Sequence, residues 1–153
     1  PQKVFGGAGG LATRINKDAS YYLYSDSGPT LWIYNAVKRN SARTIFKTIP
    51  DKCVWAKDNI TFYCAVPDSL PRGQYPDSWY QGAVSFSDTV WEININATST
   101  GALPVQRLSD TSLPNGIDAT KLFVSSNETY LFFINKKDMT LWALDMPLSL
   151  GDN

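Results

Sequence analysis

Few side chains in this sequence could carry out acid–base or nucleophilic chemistry. The 153 residues include no histidine, which removes the commonest general base and the usual Ser-His-Asp and Cys-His systems. Asp18, Asp58, Asp88 and Asp138 stand singly in predicted turns, whereas a glycosidase needs two carboxylates that converge on one bond. These residue types favour recognition over catalysis. We therefore expect a non-enzymatic protein without a cofactor or a bound metal.

The two cysteines flank a predicted hairpin turn. If Asp58 and Asn59 are the loop residues, Cys53 faces Cys64 across the hairpin, close enough for a disulfide. A four-residue loop would instead place Cys53 opposite Phe62, and two buried thiols are the alternative to a bond. A disulfide would indicate an oxidising compartment, and we expect a secreted, periplasmic or cell-surface protein. Two cysteines without histidine make a poor zinc site.

A repeat organises the elements that hold these residues. Thr, then Leu or Val, then Trp occurs three times, and a turn with Asp or Asn at its third position precedes each copy. The copies are Thr30-Leu31-Trp32, Thr89-Val90-Trp91 and Thr140-Leu141-Trp142, and the turn residues are Asp18, Asp58 and Asn127. We expect the turn residue, whose type tolerates left-handed backbone angles, to bond its own turn. Strand alternation places each Trp and the second residue after it on one face, against a neighbouring sheet.

Each copy predicts several antiparallel strands. A fourth strand is predicted at 43–47 and at 105–108, and a spare short strand at 3–5. Sustained helical spacing of apolar residues is absent from the sequence, so the chain is predicted to be almost entirely β. Four-stranded units that repeat every 40–50 residues, approximately, are typical of β-propeller blades.

The pattern resembles the TolB-type propeller repeat, a relative of the WD repeat. That repeat has Trp-Ser-Pro-Asp-Gly-Lys, an apolar strand, and later Leu-Trp with an acidic residue. Trp55-Ala56-Lys57-Asp58-Asn59 and Thr140-Leu141-Trp142-Ala143-Leu144-Asp145 match it best, although Pro and Gly of the usual turn are absent from all three copies. The resemblance covers residues 11–146. It implies an all-β segment, 1–153, with four-stranded antiparallel blades at about 11–50, 51–110 and 117–146.

Three blades are fewer than the four to eight that typically close a propeller. We therefore expect an incomplete ring, completed by another segment of a longer protein or by another chain. Self-association is one expected way to complete it.

A second resemblance concerns the turn before the first Trp. Ser25-Asp26-Ser27-Gly28-Pro29-Thr30-Leu31-Trp32 looks like the Asp-box of sialidase-type propellers, Ser-x-Asp-x-Gly-x-Thr-Trp, with Asp26 and Leu31 out of place. Even a true Asp-box is a turn remote from the chemistry, so we interpret it as a turn. The alternatives to a binding module are the propeller domain of a larger hydrolase, prolyl-peptidase-like or sialidase-like, and a self-assembling surface-layer or filament component.

An insertion at 66–87 in the middle copy is the best functional candidate. Its candidate binding residues are Arg72, Tyr75, Trp79, Tyr80 and Gln81, of types enriched at binding hot spots. The TolB-type resemblance implies that loops between second and third strands open on one face, beside the central channel. The alternative is that Trp79 and Tyr80 fold back onto the blade and fill a gap.

The charge and hydropathy of the sequence limit the class of partner that we expect. The chain has 14 basic and 14 acidic residues without a basic stripe, which argues against nucleic acid. The sequence lacks an apolar run long enough to span a membrane. Asn59, Asn96 and Asn127 begin Asn-x-Thr motifs, but β turns are rich in Asn and strands in Thr, so we infer no glycans from them. A protein or a glycan remains the expected partner.

Overall fold

Three antiparallel β-sheets follow one another along the chain in the computed structural model, which describes residues 1–96, 103–108 and 116–147. The first sheet contains β1 (Ala12–Ile15), β2 (Tyr21–Ser25), β3 (Thr30–Asn35) and β4 (Asn40–Lys47). The middle sheet contains β5 (Cys53–Trp55), β6 (Thr61–Pro67), β7 (Asp88–Asn94) and β8 (Val105–Arg107). The third sheet contains β9 (Ala119–Val124), β10 (Tyr130–Asn135) and β11 (Thr140–Asp145). A 3₁₀ turn, Pro50–Lys52, and a short helix, α1 (Asp77–Tyr80), complete the described elements.

The all-β prediction is confirmed, and the three sheets form an open series across the described residues. The first, middle and third sheets fall within residues 11–50, 51–110 and 117–146 respectively. The fourth strands predicted at 43–47 and 105–108 correspond to β4 and β8. The spare strand predicted at 3–5 is wrong. Instead, the ring of Phe5 lies against the aromatic outer face of the first sheet, 5.1 Å from the ring centres of Tyr24 and Tyr34, because that face offers apolar contact.

The turn of each repeat is built as a hydrogen-bonded Asx turn. Oδ1 of Asp18, Asp58 and Asn127 each accepts a bond from the amide two residues ahead. The left-handed residue is the next one along, however, with φ of 59° at Ala19, 62° at Asn59 and 57° at Glu128. The prediction that the turn residue bonds its own turn is therefore confirmed.

The sheets pack face to face in two apolar layers. The layer between the first and middle sheets contains Leu23, Leu31, Ile33, Phe46, Phe62, Cys64 and Ile93. The layer between the middle and third sheets contains Tyr63, Ala65, Val90, Ala119, Leu122, Leu131 and Phe133. Neighbouring residues of β6 thus face opposite sheets, as the pleat of a strand requires. Trp91 and Ile93 turn towards the first sheet, and Trp142 and Leu144 towards the middle sheet, as predicted. In the first copy, Trp32 and Tyr34 instead stack on Tyr24 and Tyr22 of their own sheet.

Cys53 and Cys64 form a disulfide inside the middle sheet, as predicted. β5 and β6 pair with Cys53 opposite Cys64 and Trp55 opposite Phe62, which excludes the alternative register. Both cysteines are buried in the layer shared with the first sheet. A buried disulfide of this kind suits an oxidising environment.

Removing this disulfide should weaken the fold measurably. The two cysteines are 11 residues apart, and a loop of that length closed in the unfolded chain corresponds to about 3 kcal/mol. We expect reduced wild-type protein to lose about that much free energy of unfolding in urea titrations. Reduced wild type keeps every side-chain atom, so it separates loss of the bond from loss of packing in Cys53→Ala/Cys64→Ala. An unchanged midpoint, with both thiols verified by mass spectrometry, would contradict the expectation.

Candidate functional site

The insertion at 66–87 is an ordered structure that folds back onto the sheets. Tyr75, Trp79 and Phe86 pack with Ile49 in a separate apolar cluster. Trp79 is only 3% exposed, whereas Tyr80 is 50% exposed. Trp79 therefore fills a gap, as the alternative interpretation expects, and Tyr75 is buried with it. Arg72, Tyr80 and Gln81 are the predicted binding residues that reach the surface.

The insertion lies over three buried charged residues, Lys52, Asp88 and Asp118. Together with Trp79 of the insertion, we name them the Lys52 cluster. Lys52 Nζ is fully buried and lies 2.7 Å from Asp88 Oδ2 and 2.7 Å from Asp118 Oδ1. It also donates a 2.7 Å hydrogen bond to the Ala119 carbonyl. Lys52 ends the 3₁₀ turn before β5, Asp88 begins β7, and Asp118 directly precedes β9. One ammonium group thus joins the middle sheet to the third sheet.

Trp79 connects the insertion to this cluster. Its indole N–H donates to Asp118 Oδ1 over 2.9 Å, and its ring lies 4.9 Å from Lys52 Nζ. Further along the insertion, the Phe86 amide donates to Asp118 Oδ2 over 3.1 Å. Lys136 Nζ, from the β10–β11 turn, donates 2.6 Å to the Trp79 carbonyl. These bonds fix the position of the insertion relative to the third sheet.

The two carboxylates of the cluster differ in their electrostatic state. Burial raises the pKa of Asp88 to about 6, against the attraction of Lys52. Burial also acts upwards on the pKa of Asp118, but the charge of Lys52 and the bonds from Lys52 and Trp79 hold that pKa below its ordinary value. Asp88 Oδ1 is buried and meets no donor among the described residues. Asp88 is therefore the first of the two carboxylates to take up a proton as the pH falls.

A cleft of about 390 Å³ opens beside the cluster, within the usual range for ligand sites. Its lining residues are Arg14, Asp51, Trp79, Tyr80, Thr120, Lys121, Lys136 and Met139. The Tyr80 hydroxyl donates to Asp51 Oδ2 over 2.6 Å, which holds the half-exposed ring in place. Burial and the Asp51 carboxylate raise the pKa of Tyr80, so the hydroxyl keeps its proton at neutral pH. The lining carries three cationic side chains and one carboxylate beside two aromatic rings.

The N-terminal glycine-rich segment closes against the insertion on the same side of the molecule. Gly10 has φ of 69°, and a Cβ there would lie 2.7 Å from the Tyr75 carbonyl oxygen. Glycine is therefore required at this position. The neighbouring Gly9 carbonyl accepts a 2.9 Å bond from the Ser27 amide in the β2–β3 loop. The insertion, this segment and the β10–β11 turn together form one face, which we name the insertion face.

The two carboxylates of the Lys52 cluster have no access to solvent. The side chains of Asp88 and Asp118 are closed to solvent behind Trp79, so they cannot reach a substrate in this arrangement. The described residues contain no group of His, Cys, Asp and Glu able to hold a metal ion. Within the same ranges, none of the helices is long and apolar enough to cross a membrane.

Sequence reasoning missed Lys52 and Asp118 and interpreted Asp88 only as a turn residue. The three lie far apart along the chain, so their spacing gives no motif. The one local signal is a charged residue within an apolar stretch, as in Ile117-Asp118-Ala119. Burial of such a residue requires a partner of opposite charge. A search for that partner would have suggested the cluster.

Comparison of the sequence with models of known protein families and with curated proteins finds no match.

Proposed function

We propose that this chain is a non-enzymatic recognition module of the β-propeller type. It binds a protein or glycan partner through the insertion face and acts outside the cytoplasm. The buried disulfide supports the location, because such bonds persist in oxidising compartments. The TolB-like repeat and the series of sheets support the architecture.

One observation carries the binding proposal: Tyr80 is half-exposed in the lining of the cleft, and hydrogen bonds hold both it and its neighbour in place. The neighbouring residue in α1, Trp79, donates a hydrogen bond to Asp118. The hydroxyl of Tyr80 itself donates a hydrogen bond to Asp51. A rigid aromatic ring contributes contact area with little loss of conformational entropy on binding. Lys121 and Arg14, both exposed, add cationic donors to the same cleft. Such a combination is typical of a recognition surface.

Tyr80 should be a main determinant of partner affinity. A partner is first selected on arrays of glycans and of extracellular proteins, and its affinity is then measured by calorimetry. We expect Tyr80→Ala to weaken binding about tenfold or more, equal to about 1.4 kcal/mol, because it removes the exposed ring. Tyr80→Phe keeps the ring and should lose less. Lys121→Ala should also weaken binding.

The matched control is Val37→Ala, an exposed apolar residue in the β3–β4 turn, at the opposite end of the strands from the insertion. It should leave affinity unchanged. A selected partner whose affinity is indifferent to both Tyr80→Ala and Lys121→Ala would contradict binding at this face.

A further inference from the structure

The two contacts between sheets within this chain follow one rule. We name the face of a sheet that is directed towards the next sheet in chain order its forward face. The opposite face is its rear face. The forward face of the first sheet packs on the rear face of the middle sheet. The forward face of the middle sheet packs on the rear face of the third sheet.

Equivalent positions in the repeat identify these faces independently. The fifth residue after the turn Asp or Asn is Leu23, Tyr63 or Phe132. Leu23 packs in the first apolar layer and Tyr63 in the second. Phe132 lies at the same position in the third sheet, where no following sheet is present within the described residues. Its partner positions in the neighbouring strands are Phe123 and Ala143.

The residue before each repeat Trp is buried in the first two sheets and exposed in the third. Leu31 is 0% exposed and Val90 is 3% exposed, whereas Leu141 is 61% exposed. All three occupy the middle position of Thr-x-Trp. Leu31 and Val90 pack in the two layers, and Leu141 pairs with Ile134, two residues along β10 from Phe132, so it points forward as well. Leu141 therefore matches Leu31 and Val90 in apolar character and orientation, but no sheet packs on it among the described residues.

The forward face of the third sheet is accordingly an apolar surface. The rings of Phe123 and Phe132 stack on it at 4.9 Å between centres. Phe123, Tyr130 and Leu141 are all exposed. Contiguous exposed apolar surface of this kind marks an interaction site.

The first sheet has the complementary surface at the other end of the series. Its rear face carries Tyr22, Tyr24, Trp32 and Tyr34, whose rings stack in pairs. Tyr22 and Tyr24 are equivalent to Phe62 and Cys64 of the middle sheet, which pack against the sheet before them. Phe5 covers part of this face, stacked on Tyr22 and Tyr34.

We propose that the forward face of the third sheet binds the rear face of the first sheet in a second copy of this chain. This pairing repeats a kind of contact that the chain already makes twice, whereas two forward faces have no such precedent in the molecule. Two copies related by a two-fold axis make the contact twice and leave neither end face uncovered. The resulting six sheets lie within the four to eight typical of closed propellers. Docking exchanges the Phe5 contacts on the rear face for those of a sheet.

Light scattering coupled to size-exclusion chromatography tests this pairing over a series of protein concentrations. We expect a discrete species of twice the 17.0 kDa chain mass. Leu141→Glu places a charge on the forward face and should shift that species to a single chain. Tyr24→Glu does the same on the rear face and should have the same effect. Val37→Glu adds the same charge to an exposed apolar residue outside both faces and should leave the mass unchanged.

Circular dichroism and thermal unfolding establish that each variant is folded. Leu141 is exposed in the last described strand, so its variant isolates the contact even if Tyr24→Glu fails to fold. The proposal is overturned by a single-chain mass at every concentration, by a polydisperse aggregate, or by a dimer that withstands Leu141→Glu. A dimer that withstands a folded Tyr24→Glu would be held by two forward faces and would equally overturn it.

Discussion

Lys52→Ala is expected to lower the free energy of unfolding by about 3–5 kcal/mol, the usual cost of breaking a buried ion pair on one side. The variant leaves Asp88 and Asp118 buried without the cation that lies 2.7 Å from each. Neither carboxylate can reach water in the folded state, so both must take up protons or force the structure open. Urea unfolding at neutral pH measures the effect.

Two substitutions separate loss of the charge pair from loss of a side chain. Lys121→Ala removes an exposed lysine and should cost less than about 0.5 kcal/mol. Asp88→Asn removes the surplus negative charge but retains an oxygen that can accept from Lys52 Nζ and from the Ala119 amide. We expect a cost well below that of Lys52→Ala. If Lys52→Ala were no more costly than Lys121→Ala, the cluster would have no structural role.

Trp79→Ala is expected to cost a similar amount, about 3–5 kcal/mol, because it empties the space under the insertion. It also removes the N–H that bonds Asp118 over 2.9 Å. The insertion should then detach, and trypsin should cut after the exposed Arg72 faster than in wild type. Urea unfolding and the rate of tryptic cleavage are the measurements.

Trp79→Phe is the matched control for this effect. It keeps a ring beside Lys52 and loses only part of the volume and the N–H donor, so it should cost about 1–3 kcal/mol. Its cleavage after Arg72 should stay close to the wild-type rate. Equal stability and equal cleavage of Trp79→Ala and wild type would show that the insertion is held by other contacts.

Alternation and repetition were sufficient to predict much of the fold. The orientation of Trp91 and Trp142 follows from their places in a pleated strand, which depend only on local sequence. The disulfide followed from the same register, because Cys53 and Cys64 are equidistant from the predicted turn. Strand alternation and turn register are short-range properties, and the same pattern recurs in each repeat.

The candidate site is different in kind, because its energetics depend on burial that local sequence does not determine. Lys52 precedes its strand and Asp118 precedes another, and residues at such positions are usually exposed. The insertion, with Trp79 and Phe86 over the ammonium of Lys52, contributes to their burial. Arg72 and Tyr80 could be named as binding candidates by residue type, but the finding that Tyr80 is exposed while its neighbour Trp79 is buried required the three-dimensional structure.

The Lys52 cluster also determines how the chain can be divided. In an array of repeats that touch only their neighbours, each unit gains stability from the next, and the array can lengthen or shorten one unit at a time. Here Lys52, which precedes the middle sheet, forms an ion pair with Asp118, which precedes the third sheet. Trp79 of the insertion donates a hydrogen bond to the same Asp118 carboxylate. These two units are therefore expected to fold and unfold as a single cooperative block.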